Sequence, residues 1–161
     1  MLSRPLLFLF LLPFLHCHAS WGATRSTVRQ CPGRDYQLAV RDHSIEPNPL
    51  ARGRTHHMQL RFEPGEPGAA QPEAFVLELR DGGGRAIVRT RGAAGSVPVH
   101  TLLPLGLGAL DVHLQKRSGQ VDVSLALRRF APPGLFVATL KLVGGDGQEL
   151  GCAEAQLHVA E

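Results

Sequence analysis

Apolar and polar residues alternate in short runs along most of the chain. In one such run Met58, Leu60 and Phe62 are separated by Gln59 and Arg61. Successive side chains of an extended strand point to opposite faces, so a period of two predicts a strand with one buried and one exposed face. The runs predicted as strands are residues 36–45, 58–62, 75–79, 86–90, 112–115, 121–127, 136–142 and 152–159.

Glycine- and proline-rich turns separate these runs, and no apolar pattern of helical period extends over three turns. Residues 81–84 form a tight turn that predicts a hairpin between two of the runs. The segment 102–110 is apolar but is interrupted by Pro104, Gly106 and Gly108, so it is predicted to be irregular. Short strands with frequent turns predict an all-β fold, an immunoglobulin-like antiparallel β-sandwich of seven to eight strands.

The first 23 residues have the layout of a secretory signal peptide, with Arg4 before an apolar core at residues 6–15. This core is shorter than the roughly 20 residues that span a bilayer. We expect cleavage after Ala19, Gly22 or Ala23; an uncleaved interfacial anchor is the alternative. Residues 24–161 are then a single domain, which we expect to be secreted or in the vacuolar or lysosomal lumen.

Two cysteines remain after the signal peptide, Cys31 before the first predicted strand and Cys152 at the start of the last. Cys17 lies within the signal peptide and is removed with it. An even number of cysteines in an oxidising compartment predicts a disulfide. The alternative is two free, buried thiols.

The charge of the chain excludes little. The formal net charge is +3, and arginine and lysine residues are scattered without a run of like charges. Nucleic-acid binding has no electrostatic signature here. A slight attraction to anionic lipid surfaces is compatible with the charge, but a solvated basic face is the favoured interpretation.

Histidines and carboxylates do not form a recognisable catalytic or metal site. His56 and His57 are adjacent, so on a strand they point to opposite faces and cannot share one metal ion. His100, His113 and His158 are isolated, and residues 24–161, after the predicted signal peptide, have no Cys-x-x-Cys or His-x-His spacing that would suggest zinc. We predict surface or lightly buried histidines, no metal, no cofactor and no enzymatic activity.

Two segments resemble the ML lipid-recognition family, which includes the Niemann-Pick type C sterol carrier. The strand Tyr-Gln-Leu-Ala-Val at 36–40, followed by Ser-Ile-Glu-Pro-Asn-Pro-Leu-Ala-Arg-Gly at 44–53, is similar to the opening of the family's phosphatidylglycerol/phosphatidylinositol transfer branch. Pro-Pro-Gly at 132–134, Leu-Lys-Leu at 140–142 and Asp-Gly-Gln-Glu-Leu-Gly-Cys at 146–152 are similar to the closing stretch of that branch.

The resemblance implies a secreted or lumenal sandwich whose two sheets hold a lipid in a cavity between them. It also implies a bridge between the first and last family cysteines, whose positions match Cys31 and Cys152. The chain departs from the family at residues 85–99, which lack a further cysteine pair, and at residues 98–116, which are hard to align with it and are interpreted as an insertion.

A lipid tail between the sheets would contact the inward residues of the alternating strands. The candidate pocket residues are Phe62, Phe75, Leu77, Leu125, Phe136 and Leu140. For each of them, ordinary sandwich core is the alternative role.

The first functional hypothesis is a monomeric, non-enzymatic carrier that binds a sterol or a phospholipid and contacts membranes transiently. The alternative is an immunoglobulin-like extracellular domain that has a filled core, binds protein partners and holds no lipid.

Overall fold

The computed structural model describes residues 24–95 and 97–161. The predicted signal peptide therefore lies outside the described residues. Ten strands and one short 3-10 helix, Pro104–Gly106, make up the regular structure of the described part. The strands are β1 (Thr27–Gln30), β2 (Leu38–Glu46), β3 (Thr55–Pro64), β4 (Ala74–Asp81), β5 (Ala86–Ala93), β6 (Val99–Leu102), β7 (Gly108–Gln115), β8 (Gln120–Leu127), β9 (Gly134–Val143) and β10 (Glu149–Val159).

The strands form two five-stranded sheets in which every neighbouring pair is antiparallel. Sheet A has the order β1-β10-β9-β4-β5, and sheet B has the order β2-β3-β8-β7-β6. The all-β, antiparallel sandwich predicted from the alternation is therefore confirmed, with ten strands instead of seven to eight. No helix among the described residues is long and apolar enough to cross a membrane.

Two short edge strands account for the additional elements. Strand β1 pairs with β10, and β6 pairs with β7. Both have four residues and are largely exposed, so they lack the buried alternation that reveals a strand. The segment 102–110, predicted to be irregular, is irregular only at residues 103–107, and most of the supposed insertion at 98–116 forms the edge hairpin of sheet B.

The core lies between the sheets and follows the alternation of each strand. In β3, His56, Met58, Leu60 and Phe62 are buried, and the residues between them are exposed. Burial of a large apolar side chain is worth about 1.5–3 kcal/mol, so the facing apolar surfaces provide the main stabilising term.

Loops that follow odd-numbered strands lie at one end of the sandwich, which we call the disulfide end because it contains the Cys31–Cys152 bond. The two Cα atoms are 5.4 Å apart, and the Cys31 amide donates a hydrogen bond to the Cys152 carbonyl at 3.1 Å. The predicted disulfide is thus present, and it joins the β1–β2 connection to the last strand.

Two phenylalanines pack tightly against glycines towards this end. A Cβ atom on Gly92 would lie 2.6 Å from the Phe75 ring, and one on Gly151 would lie 3.1 Å from the Phe62 ring. Both rings are almost completely buried. The absence of side chains at Gly92 and Gly151 therefore lets the rings close the core at the disulfide end.

Cys31→Ser or Cys152→Ser should lower the free energy of unfolding. The bond closes a loop with a sequence separation of 121 residues, for which chain entropy predicts a loss of about 4–5 kcal/mol. Urea titration of the oxidised, reduced and substituted proteins measures the difference. Equal midpoints for the oxidised and reduced protein would contradict the expectation.

A second tie at the disulfide end is a polar cluster around Glu149. Lys141 Nζ donates to Glu149 Oε2 at 2.9 Å, and Arg34 Nη1 lies 3.9 Å from Glu149 Oε1. Burial alone would raise the pKa of Glu149, but the hydrogen bonds from Lys141 and Tyr36 and the nearby positive charges outweigh it and lower this pKa below its ordinary 4.5. Burial and the bond to Glu149 raise the pKa of Tyr36.

The Glu149 cluster should make stability fall in acid. The Glu149 carboxylate binds a proton less readily in the folded protein than in the unfolded chain. The contribution of Glu149 to the free energy of unfolding is therefore present above pH 4.5 and is lost as the pH falls through the lowered pKa. Glu149→Gln should lower the urea midpoint at neutral pH, and the difference from the parent should shrink below pH 4.5. Glu66→Gln, in an exposed loop, is the control; a pH-independent effect of Glu149→Gln would refute the assignment.

Candidate functional site

An apolar cavity lies between the sheets at the end opposite the disulfide, which we call the cavity end. The loops at this end follow the even-numbered strands and comprise residues 47–54, 82–85, 103–107 and 128–133. The walls of the cavity expose no polar atom. They are formed by Leu50, Leu79, Ile87, Leu103, Leu107, Leu125, Leu127, Ala131, Pro132, Phe136, Leu157 and Val159.

The free volume of this cavity is about 20 Å³. One water molecule needs about 10–15 Å³ by the same measure, and small-molecule pockets have volumes of about 300–1,000 Å³. In this conformation the cavity is therefore a packing gap that could hold a water molecule but not a lipid tail.

An open depression on the surface, with a volume of about 600 Å³, adjoins the cavity. Ile87, Leu107, Pro132 and Phe136 line both the cavity and the depression. These four side chains therefore form the mouth through which the gap between the sheets communicates with the exterior.

The six candidate pocket residues all face the core, but they do not lie together at the cavity. Leu125 and Phe136 line it. Leu77 and Leu140 are cross-strand neighbours in the middle of sheet A, and Phe62 and Phe75 lie towards the disulfide end. Any role of the latter four in ligand contact remains a prediction that depends on how far the core opens.

Several cavity residues were missed by sequence reasoning because they lie in loops. Leu103, Leu107 and Ala131 are buried or half-buried although they belong to no strand. Alternation cannot identify such positions. The available signal was the apolar character of residues 102–110, which is unusual for a connecting segment.

The β2–β3 loop forms a fixed wall of the cavity. Leu50 is completely buried, its amide donates to the His158 carbonyl at 3.0 Å, and its carbonyl accepts from the Ala160 amide at 2.8 Å. The Asn48 side chain bonds both the amide and the carbonyl of Ser26, at 2.7 and 3.0 Å. Sheet A therefore holds a loop that belongs to sheet B.

His56 fixes the same loop from within the core. Its Nε2 lies 3.1 Å from the Ala51 amide and 2.8 Å from the Ala51 carbonyl, and its Nδ1 lies 3.2 Å from the Pro47 carbonyl. According to the tautomer, the ring donates to the Pro47 carbonyl and accepts from the Ala51 amide, or donates to the Ala51 carbonyl. The prediction of a surface or lightly buried histidine is wrong for His56, which is fully buried because these backbone groups provide its partners.

The edge formed by β5 and β6 is more loosely joined. The Thr101 hydroxyl donates to the Thr90 hydroxyl at 2.9 Å across this edge. Beyond that contact, towards the cavity end, Ile87 of β5 faces Leu103 and Leu107 across the apolar gap. Relative motion of the sheets thus meets the least polar resistance at this corner.

The outer face of sheet B carries a shallow polar groove of about 550 Å³. His100 Nδ1 lies 2.7 Å from Asp111 Oδ1, and His113 Nδ1 lies 4.0 Å from Asp122 Oδ2. Within the described residues no group of three or more His, Cys, Asp or Glu side chains is arranged to hold a metal ion. The two His–Asp pairs are therefore separate, the first exposed and the second half-buried.

Comparisons with known proteins add limited information. No protein-family model matches the sequence, and no curated protein matches it. A solved structure of a Niemann-Pick type C2 protein from the Japanese carpenter ant is similar over 83% of this chain and 99% of that chain, with 9% identity and a TM-score of 0.48. The Pseudomonas fluorescens alkylpurine DNA glycosylase AlkC, bound to DNA containing an abasic site analog, is similar over 78% of this chain and 31% of that chain, with 13% identity and a TM-score of 0.40. At these TM-scores neither similarity bears on function.

His56→Ala should destabilise the protein, because it leaves backbone groups of the buried loop without a partner. The expected loss is at least about 1–3 kcal/mol of unfolding free energy, measured by urea titration. The adjacent His57→Ala is the matched control, since His57 is exposed on the other face of β3, and it should change the value by less than about 0.5 kcal/mol. Equal effects of the two substitutions would contradict the role of His56.

Proposed function

We propose that the protein is a non-enzymatic lipid-binding protein that takes the apolar part of a sterol or phospholipid between its two sheets. The observation that carries this proposal is the polar-free cavity at one end of the sandwich, which meets an open depression through the mouth residues. The ML-like sequence segments at both ends of the domain support the same function. The disulfide is in keeping with the oxidising secretory pathway proposed as its location.

Lipid uptake requires the sheets to separate, since the present volume of about 20 Å³ excludes a hydrocarbon tail. The disulfide, the Phe–Gly contacts and the Leu50 hydrogen bonds hold one end and one edge. Separation would therefore begin where Ile87 faces Leu103 and Leu107. A tail that enters there transfers apolar area out of water at about 25 cal/mol per Å², which offsets the lost contacts between the sheets.

The apolar walls suit a hydrocarbon and provide no group for a polar ligand. An unpaired polar atom in such a gap would cost about 1–3 kcal/mol or more. A sterol ring system or an acyl chain is thus the chemical class that the cavity favours, with the head group left at the depression outside. We propose a monomer that contacts membranes only transiently, during loading and release.

The nearly closed core favours a second candidate. An immunoglobulin-like extracellular domain that binds other proteins needs no cavity, and a gap that holds one water is ordinary for such a core. The two candidates differ in whether the sheets open, so a ligand measurement separates them.

Native mass spectrometry of the protein from its own source, with fluorescent sterol and phospholipid exchange, tests the proposal. We expect a co-purified lipid and saturable exchange. Leu107→Trp should block the mouth and reduce exchange at least about tenfold, as expected when an apolar ligand loses access to its buried site. Val137→Trp, on a half-buried position of β9 outside the cavity lining, is the control.

Absence of a bound lipid together with absence of exchange in the parent protein would reject the carrier function and leave the interaction domain. Equal loss of exchange in Leu107→Trp and Val137→Trp would place lipid uptake elsewhere on the molecule.

A further inference from the structure

Large exposed apolar side chains cluster at the cavity end. Among the described residues Leu105 is 90% exposed, Leu102 72% and Phe130 65%. Leu102 and Phe130 line one surface depression, and the Phe130 ring lies 4.0 Å from where a Cβ of Gly106 would be, next to Leu105. The remaining large apolar residue of comparable exposure, Val97, lies in a loop at the disulfide end.

Leu105 is held outward by an unfavourable backbone conformation. Its φ of 55° and ψ of 21° are left-handed, and it is the single non-glycine residue with a positive φ in the described part of the chain. A left-handed conformation is unfavourable for an L-residue because of its Cβ atom. Glycine and asparagine adopt it at a lower cost in stability. The fold therefore presents leucine to solvent at a position where a small polar residue would fit more easily.

Arginines surround this apolar cluster. The four loops of the cavity end carry five arginines and no acidic residue, whereas the five loops of the disulfide end carry three basic and four acidic residues. Arg25 and Glu161, in the segments flanking the sheets, offset each other. The arginines are Arg52, Arg54, Arg85, Arg128 and Arg129.

Most of these arginines have no acidic partner among the described residues. Arg85 forms an ion pair with Asp81 at 3.1 Å, and the other four form none within 4.0 Å. Arg54 and Arg128 line the same depression as Leu102 and Phe130, and Arg85 lines the depression that contains Leu105. Apolar and basic groups therefore share one surface.

We propose that the cavity end docks on an anionic phospholipid bilayer, with Leu102, Leu105 and Phe130 inserted among the lipids and the arginines on the phosphates. Apolar side chains that enter the boundary of head groups and acyl chains, flanked by cations, are the combination that holds a protein on such a surface. Docking in this orientation puts the mouth of the cavity against the membrane. The functional role of docking rests on the proposed lipid binding, whereas the attraction of this surface to the bilayer does not.

Charge complementarity selects this occupant. Four of the five arginines have no acidic partner among the described residues, so an anionic surface complements them. The three exposed apolar side chains need a surface that is also apolar beneath its charged layer. An anionic bilayer satisfies both, whereas a soluble polyanion satisfies only the first. Composition alone favours a solvated basic face, but folding brings five arginines from separate segments together at one end.

Vesicle flotation with the full chain tests the proposal. Vesicles of phosphatidylcholine alone are compared with vesicles that also contain phosphatidylglycerol, at low and high salt. We expect binding to the anionic vesicles, weakened by salt because the Debye length shortens. Little binding to phosphatidylcholine alone is expected.

Matched variants separate the two contributions. Leu105→Asn should weaken vesicle binding about tenfold or more while keeping or raising the urea midpoint, since asparagine tolerates a left-handed backbone. Val97→Asn, at the disulfide end, should bind as the parent does. The double variant Arg54→Gln/Arg128→Gln should weaken binding to anionic vesicles by about 25-fold, at about fivefold per arginine. The control is the double variant Arg89→Gln/Arg117→Gln, which has the same change in net charge and should have a much smaller effect.

The docking surface would be overturned by no binding to anionic vesicles, by equal binding to both vesicle types, or by equal effects of Leu105→Asn and Val97→Asn. Binding that depends on the arginines but not on Leu105 would also overturn it, in favour of a soluble anionic partner. Lipid exchange is measured in parallel: docking without exchange rejects only the proposed function, and exchange without docking rejects only this surface.

Discussion

Exclusion of water from two facing apolar surfaces is the interaction on which the whole molecule depends. Each sheet buries one side of its strands and exposes the other, so neither sheet is stable alone. This packing is not uniform along the sandwich. Phenylalanine rings seated on glycines fill the core near the disulfide, while leucines and loop residues meet less closely at the other end. The same force therefore produces a tight end and a looser end within one core.

Polar contacts add a second asymmetry, across the width of the sandwich. The Asn48 side chain and the backbone of Leu50 attach the β2–β3 loop to the edge of sheet A, and buried His56 holds the same loop to β3. At the opposite edge the Gly95 amide donates to the Leu114 carbonyl near the disulfide end, and a hydroxyl pair follows, but the Ile87 corner at the cavity end relies on apolar contact. Hydrogen bonds are directional and apolar contacts are not, so the first edge holds its geometry while the second can slide or part.

The alternation of apolar and polar residues predicted the strands that bury one face, such as β3 and β8. In these strands every second side chain points into the core and is apolar. Alternation could not predict β1 or β6, whose pairing depends on backbone hydrogen bonds that any sequence can make. The candidate site divides in the same way. Leu125 and Phe136 follow from alternation, but Leu103 and Ala131 reach the cavity through loops. The arginine cluster comes from three distant segments, and only folding brings these together.

The fixed β2–β10 edge has a geometric consequence for anything held between the sheets. Rotation of one sheet about that edge opens a wedge, whose width grows in proportion to the distance from the Leu50 pairing and is greatest beside β5 and β6. A tapered space accepts a molecule in one direction. Its thin end would point towards Leu50 and its thick end would lie at the Ile87 corner, so the fold itself, without any polar contact, distinguishes the two ends of an elongated guest.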